Sequence, residues 1–215
     1  SAYNFMNVKL VGVGAGLTYG PLGSSHHALE DIAIMQSLPD MTVLCPGDPI
    51  ETRELIKRSY EYEGPVYIRL GKNGEPKIHP DETRIEIGKS ITVLEGNDLA
   101  LITTSNMLET GKKWVEEWKQ DGVNVSLISM PSLKPFDSST VKNLIDKEIP
   151  IITLEEHSVI GGLGSIISQV IATTGKPVKF QQIGINDKFS HVIGGHEFQR
   201  KKFMLDKKPS LKFIE

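Results

Sequence analysis

The sequence predicts an α/β protein made of two consecutive α/β units with mainly parallel sheets. Short apolar runs rich in β-branched residues alternate with stretches of helical period. The joining segments are short, which favours strands running the same way with helices crossing between them. A polar break over 71–83, carrying Gly71, Gly74, Pro76 and Pro80, parts a unit over 1–78 from a unit over 84–215.

In the first unit, 8–13 reads as a buried strand closed by glycines. Gly12, Gly14, Gly16, Gly20, Pro21 and Gly23 then make a loop that neither helix nor strand would tolerate. Ser24 and Ser25 are candidate caps for a helix over about 28–37, with Leu29, Ile32 and Ala33 as its apolar stripe and Pro39 as its stop. A short strand follows at 42–45. Asp48 is placed as an N-cap, Pro49 at the first helical position and Glu51 three residues after the cap. Leu55, Ile56 and Tyr60 would line one face of this helix, which Gly64-Pro65 stops. Val66–Leu70 is the third strand.

In the second unit, strands are expected at Ile91–Leu94, Leu99–Thr103, 123–129, 149–154 and 178–183. Helices are expected at 105–121, 138–147 and 162–173. Ser105 is the candidate cap of the first, and Leu108, Trp114, Val115 and Trp118 give it helical period, with the tryptophans as core or interface anchors.

Lys plus Arg total 24 against 27 for Asp plus Glu, a net charge of −3, which argues against a nucleic-acid groove or a membrane-surface patch. The apolar runs are short and glycine-broken, far below the roughly 18 residues of a spanning helix. No targeting signal opens the chain. The single cysteine, Cys45, rules out an internal disulfide or a multi-cysteine metal site and fits a reducing, cytoplasmic setting. The first residues lack an initiator Met and run almost at once into a strand, which reads as a chain that begins part-way through a domain.

The segment from Gly20 to Ala33 carries the strongest chemical signal. A strand runs into a glycine loop that presents His26 and His27 just ahead of the expected helix start. Ligands of open α/β sheets gather at such carboxyl ends of strands. The positive end of a helix disfavours imidazole protonation and favours anions, and histidine trades protons near neutral pH. The other reading of the loop is a surface turn whose histidines bond locally. Zinc is disfavoured, because adjacent histidines do not easily face one ion and no third ligand has the spacing. Gly12, Gly14 and Gly16 do not match a dinucleotide loop. The turn Gly161-Gly162-Leu163-Gly164-Ser165 could bind an anion but reads as a close-packing feature. Glu155, Glu156 and His157 read as domain-interface residues, and Arg200 to Lys202 with Lys207 and Lys208 as solvated surface charge.

Ser25-His26-His27-Ala28-Leu29-Glu30-Asp31-Ile32-Ala33, then Leu38-Pro39 and Val43-Leu44-Cys45-Pro46-Gly47-Asp48, resemble the second half of the transketolase pyrimidine-binding domain. The segment from Gly64 to Lys72 is similar to that domain's last strand. The segment from Leu154 to Ser165 resembles the hallmark of the transketolase C-terminal domain. The paired His26-His27 leans toward split transketolases, whose C-terminal half is its own polypeptide. Deoxyxylulose-phosphate synthases and 2-oxoacid dehydrogenase β subunits share the architecture and remain alternatives, as does a non-catalytic dimerisation module.

The resemblance implies a thiamine diphosphate- and Mg²⁺-dependent transferase that moves a two-carbon ketol unit between sugars or sugar phosphates. It makes His26 the catalytic residue, facing the reactive carbon of the cofactor and a hydroxyl of the donor. His27, Lys72 and Arg69 become the substrate-binding candidates. Lys72 falls near the family's phosphate-gripping Arg. Arg69, on an alternating strand, reads first as a surface or interface salt-bridge residue. Leu22 stands where the family has an Asp on the sugar. The cofactor-activating Glu has no counterpart here, since the first glutamate is Glu30, and the diphosphate and metal ligands belong to the family's N-terminal section. The chain is therefore expected to be inactive alone, and to work as a homodimer or with an N-terminal partner.

Overall fold

The computed structural model describes Asn4 and residues 6–213. The outermost residues of both expected units thus lie outside the described residues. Two sheets form. The first has strand order β1-β3-β2-β7, built from β1 (Lys9–Val13), β2 (Thr42–Leu44), β3 (Val66–Leu70) and β7 (Ser132–Lys134). Its first three strands are parallel, with Val11 opposite Ile68 and Val43 opposite Tyr67. β7 runs antiparallel to β2 and comes from the second half of the chain, an exchange that the sequence pattern does not announce. The second sheet has the order β4-β6-β5-β8-β9, from β4 (Ile91–Leu94), β5 (Leu99–Thr103), β6 (Val125–Ser129), β8 (Ile151–Ser158) and β9 (Phe180–Ile185). Only β4 in it is antiparallel.

Two expectations in the first unit need correction. β1 is not buried. It stands at the sheet edge among the described residues, with Val11 and Val13 54% and 57% exposed. Helix α1 is Asp31–Ser37, shorter than expected. Ser24 and Ser25 lie in a 3₁₀ turn with His26 and cap nothing, because Ala28 is drawn into an antiparallel bridge with Gly16 that keeps the backbone extended.

Helix α2 (Pro49–Glu61) starts as predicted. Asp48 Oδ1 accepts from Glu51 N at 2.7 Å, and Glu51 Oε2 accepts in return from Gly47 N at 2.6 Å. Its buried face is Ile50, Leu55 and Ser59, whereas Ile56 and Tyr60 lie about 100° further round and stay exposed. The break at 71–83 is a strap rather than a free linker. Asp48 Oδ2 accepts from the N–H groups of Ile78 and His79, and His79 Nε2 meets Glu51 Oε1 at 2.8 Å.

In the second unit, α3 (Leu108–Gln120) buries Trp114 and Trp118 edge to face, ring centroids 6.1 Å apart. Ser105 sits before it in a left-handed conformation and accepts from Arg69 instead of capping the helix. Helices α4 (Ser138–Asp146) and α5 (Leu163–Thr174) follow, then α6 (His196–Lys202), which the sequence pattern did not foretell. One apolar cluster joins Met41, Val43 and Tyr67 of the first unit to Ile102, Ile128 and Ile167 of the second unit, so the two units share a core. No helix among the described residues is long and apolar enough to cross a membrane.

Candidate active site

The histidine loop, 17–27, stands at the carboxyl end of β1. Its neck is closed by two bonds between Gly16 and Ala28, 3.1 and 2.9 Å long. Gly14 and Ala15 donate to the carbonyl of Leu70 at the end of β3. Two 3₁₀ turns, Gly20–Leu22 and Ser24–His26, shape the tip. His26 is exposed, and its Nδ1 lies 3.1 Å from Ser25 Oγ. The ring nitrogens of His27 are buried with no hydrogen-bond partner, and burial lowers its pKa. The expected cause, the positive end of the following helix, is replaced by desolvation, because α1 begins only at Asp31. The two rings therefore occupy different environments. Among the described residues no group of three His, Cys, Asp or Glu side chains could hold a metal ion.

Arg69 is not at the surface. It is 1% exposed, because β3 lies between β1 and β2 and both faces of it are covered. Its Nε donates to Asp31 Oδ2 at 2.9 Å, and its terminal nitrogens to Ser105 Oγ and the carbonyls of Ala28 and Glu156. Tyr67 also donates to Asp31 Oδ2 at 2.7 Å. Burial opposes ionisation of Asp31, yet Arg69 and the Tyr67 hydroxyl hold its carboxyl below the usual range. This buried pair braces the neck of the loop.

Lys72 is exposed, with its ammonium 5.4 Å from the centroid of the Tyr19 ring. It borders a cavity of about 490 Å³ that is also lined by Tyr19, Pro21, Leu22, Asn73 and His196. It also borders a cleft of about 390 Å³ at the carboxyl ends of the first sheet, walled in part by Val13, Pro46, Gly47 and Leu70. Lys72 and the histidine loop are thus brought together, while Arg69 is held beneath them. A cavity of about 900 Å³ along β9 is lined by none of the predicted site residues.

Sequence reasoning missed the bracing from the second unit. Glu156 on β8 accepts from Leu17 N at 2.7 Å, from Asn106 Nδ2 at 3.2 Å, from His196 Nε2 at 2.7 Å and from Arg200 Nε. Burial would raise its pKa, but the His196 bond and the Arg200 charge hold it down to about 2. Arg200 is therefore not solvated surface charge. Its spacing of four from His196 on one helix was the only available signal. Lys201, Lys202 and Lys207 are exposed as expected, and Lys208 forms a surface pair with the exposed Asp121. The segment before α6 also touches the loop, through Ser24 Oγ donating to the Ser190 carbonyl.

The glycine turn before α5 is already filled from within. Glu155 accepts from Leu163 N at 2.7 Å and Gly164 N at 2.9 Å. A Cβ on Gly162 would collide with that carboxylate, so close packing accounts for the turn.

A parallel-stranded first sheet, a braced histidine loop at its carboxyl edge and a second unit that supplies the brace define a two-part α/β module with an open site. Family models match both parts. The transketolase pyrimidine binding domain matches residues 1–76, and the transketolase C-terminal domain matches residues 88–207. The chain belongs to the transketolase family. It is 34% identical over 208 residues to one of the subunits of the apulose-4-phosphate transketolase of Actinobacillus succinogenes, an alignment covering 95% of this chain and 66% of the relative. It is also 34% identical, over 86% of its length, to 1-deoxy-D-xylulose-5-phosphate synthase of Shouchella clausii, of which it covers 30%. Among solved structures it is similar to a split gene transketolase in an inactive beta4 tetramer, with TM-score 0.86 and 34% identity over 94% of this chain and 64% of that one. The chain spans less than two-thirds of the length of the split relatives it matches.

Proposed function

We propose that this chain is the C-terminal section of a transketolase-type transferase that moves a two-carbon ketol unit between sugars or sugar phosphates. The observation that carries the reading is an exposed His26 on a braced loop whose Tyr19 ring packs against Lys72. The matched domains and the split relatives support it. The cleft at the carboxyl ends of the first sheet mixes Val13 and Leu70 with the charged Asp48, Arg53, Lys72 and Glu75, so these residues alone do not make a seat for thiamine diphosphate, which would be held with residues of an N-terminal section. When bound, that cofactor supplies the carbanion chemistry by which a carbon–carbon bond is broken and remade. The diphosphate and Mg²⁺ ligands and the activating glutamate are assigned to an N-terminal section, in an assembly that is a homodimer or a complex with that section. A cytoplasmic setting accompanies this reading.

Ser25 Oγ engages Nδ1 of His26 and leaves Nε2 free to exchange a proton with a substrate hydroxyl. His27 adds an uncharged ring beside it, and Lys72 offers a cation to the anionic end of a sugar phosphate. Arg69 acts by holding the loop neck rather than by touching substrate. A second reading, a deoxyxylulose-phosphate synthase-type activity, is favoured by the similarity to that enzyme.

The test is ketol transfer by the chain reconstituted with its N-terminal section, thiamine diphosphate and Mg²⁺. His26→Ala is expected to lower turnover by about 10²–10⁴-fold, the usual worth of acid–base help. Unchanged turnover would refute the role of His26. Calorimetry showing no cofactor binding by the reconstituted pair would leave a dimerisation module instead, and a screen of ketose phosphates against pyruvate separates the second reading.

A further inference from the structure

We propose that Glu156 is a positioning residue for His26, and that His196 is the point at which this positioning meets the substrate cavity. The inference rests on the ketol-transfer reading only where turnover is measured. Three features of the geometry lead to it.

The first is where Glu156 acts. Leu17 is the first residue of the histidine loop, and its N–H donates to Glu156 Oε1 at 2.7 Å. Gly16, just before it, has φ +63°, and a Cβ there would strike the same carboxylate. The chain therefore enters the loop folded directly over Glu156, which only glycine permits. The backbone carbonyl of Glu156 takes a bond from Arg69, which also holds the carbonyl of Ala28 at the loop's exit. One residue of β8 thus bonds the entry side of the neck directly and is tied to the exit side through Arg69.

The second is what neutralises it. Glu156 is fully buried, and the side chains from α6 that bond to it are His196 and Arg200. His196 Nε2 contacts both carboxylate oxygens, at 2.7 and 2.9 Å, and Arg200 Nε donates to Oε2. Arg200 further donates to the carbonyl of Asn106 at 3.0 Å, whose side chain also reaches Glu156. A helix of the second unit therefore sets the charge balance under a loop of the first.

The third is how the assembly meets solvent. The side chains of Glu156 and Arg200 are 0% and 15% exposed, whereas that of His196 is 28% exposed. Its open edge lines the cavity shared with Lys72, Tyr19 and Leu22. Facing the His196–Glu156 pair are the charged groups Arg200 from α6 and Lys72 across the cavity, and the titratable ring of His27, which feels the Glu156 charge. An anion held beside Lys72 would meet the imidazole edge, and through Glu156 the loop that carries His26.

The test uses hydrogen–deuterium exchange of the intact chain together with kinetics of the reconstituted enzyme. Glu156→Gln should raise exchange of the amides over 17–28 by about tenfold, the worth of one buried bond to a charged group. Exchange in β5 and β6 should not change. His196→Ala should raise loop exchange in the same segment, and His196→Gln, which keeps a donor toward Glu156, should restore it. In the enzyme, His196→Ala should lower kcat with little change in KM for thiamine diphosphate, again with rescue by Gln. Unaltered loop exchange in His196→Ala, or equal effects of Ala and Gln, overturns the proposal even if Glu156→Gln fails to fold. Loop exchange that responds as stated in a pair with no ketol transfer would sink the functional reading and leave the positioning role standing.

Discussion

Glu155 and Glu156 are neighbours on β8, and the alternation of a strand sends them to opposite faces. Both are fully buried, and each serves a glycine turn. They end in opposite states. Glu155 accepts from the backbone N–H groups of Leu163 and Gly164, with His157 Nδ1 3.9 Å from its Oε2, and burial pushes its pKa up to about 7. Glu156 is equally buried, but His196 and Arg200 hold its pKa down to about 2. Residue type, strand and depth are the same, so the partners decide the charge. Burial with backbone donors leaves a carboxyl that titrates near neutrality, whereas the His196 bond and the Arg200 charge keep its neighbour ionised. The first fills a helix start, and the second ties α6 to the histidine loop.

The largest effect should come from breaking the second arrangement. Glu156→Ala leaves Arg200, His196 and the N–H of Leu17 facing an uncompensated gap. Truncating one partner of a buried ion pair costs about 3–5 kcal/mol. Urea unfolding at pH 7 should show a loss in that range. A loss under about 1 kcal/mol would mean that the cations find water, and that the contrast with Glu155 has no energetic weight.

Much of this was legible in the sequence. Asp48, Pro49 and Glu51 announce α2 because a capped helix start is local chemistry written in consecutive residues. The parallel strands of both sheets follow from local apolar runs, and His26 stands out because glycines surround it. What could not be read is non-local. β7 pairs with β2 across some ninety residues, and nothing in Ser132-Leu133-Lys134 marks a strand. Arg69 reads as a surface or interface salt-bridge residue, and that it is the buried, interface kind is seen only once β1 and β2 stand on either side of it. Glu155 and Glu156 look alike in the sequence. Their difference appears only when α5 and α6 are placed against them.

A smaller effect should follow from crowding the first carboxylate. Gly162 has φ −92°, which any residue adopts, so its requirement is spatial. A Cβ there would strike Glu155 Oε2 and come within 2.8 Å of His157 Nδ1. Gly162→Ala should cost about 1–3 kcal/mol, the usual range for overpacking a filled site. Thermal unfolding would measure it. A neutral result would show that Glu155 swings aside freely, and that its bonds to the start of α5 are dispensable.

The subtlest effect is in pH dependence, where Glu155 and His157 oppose each other. Burial raises Glu155 from 4.5 to about 7, so the folded state binds more protons than the unfolded chain between those values. Its contribution is complete below pH 4.5 and is lost as the pH rises through about 7. His157 is lowered from 6.5 to about 4, first by burial and then by the Arg69 charge, while its Nδ1 donates to the Ser158 carbonyl at 2.8 Å. The unfolded chain then binds the extra proton, so this contribution is present above pH 6.5 and is lost as the pH falls through about 4. Over this shared interval the two slopes have opposite signs, and the stability of the natural protein should change little. Glu155→Gln removes one slope and exposes the other. Stability of the variant should then rise by about 1–2 kcal/mol between pH 4.5 and 6.5, read from urea unfolding at intervals of half a pH unit. A variant curve as flat as that of the natural protein would mean that Glu155 stays ionised throughout, and that the backbone N–H groups at the start of α5 suffice to hold a buried charge.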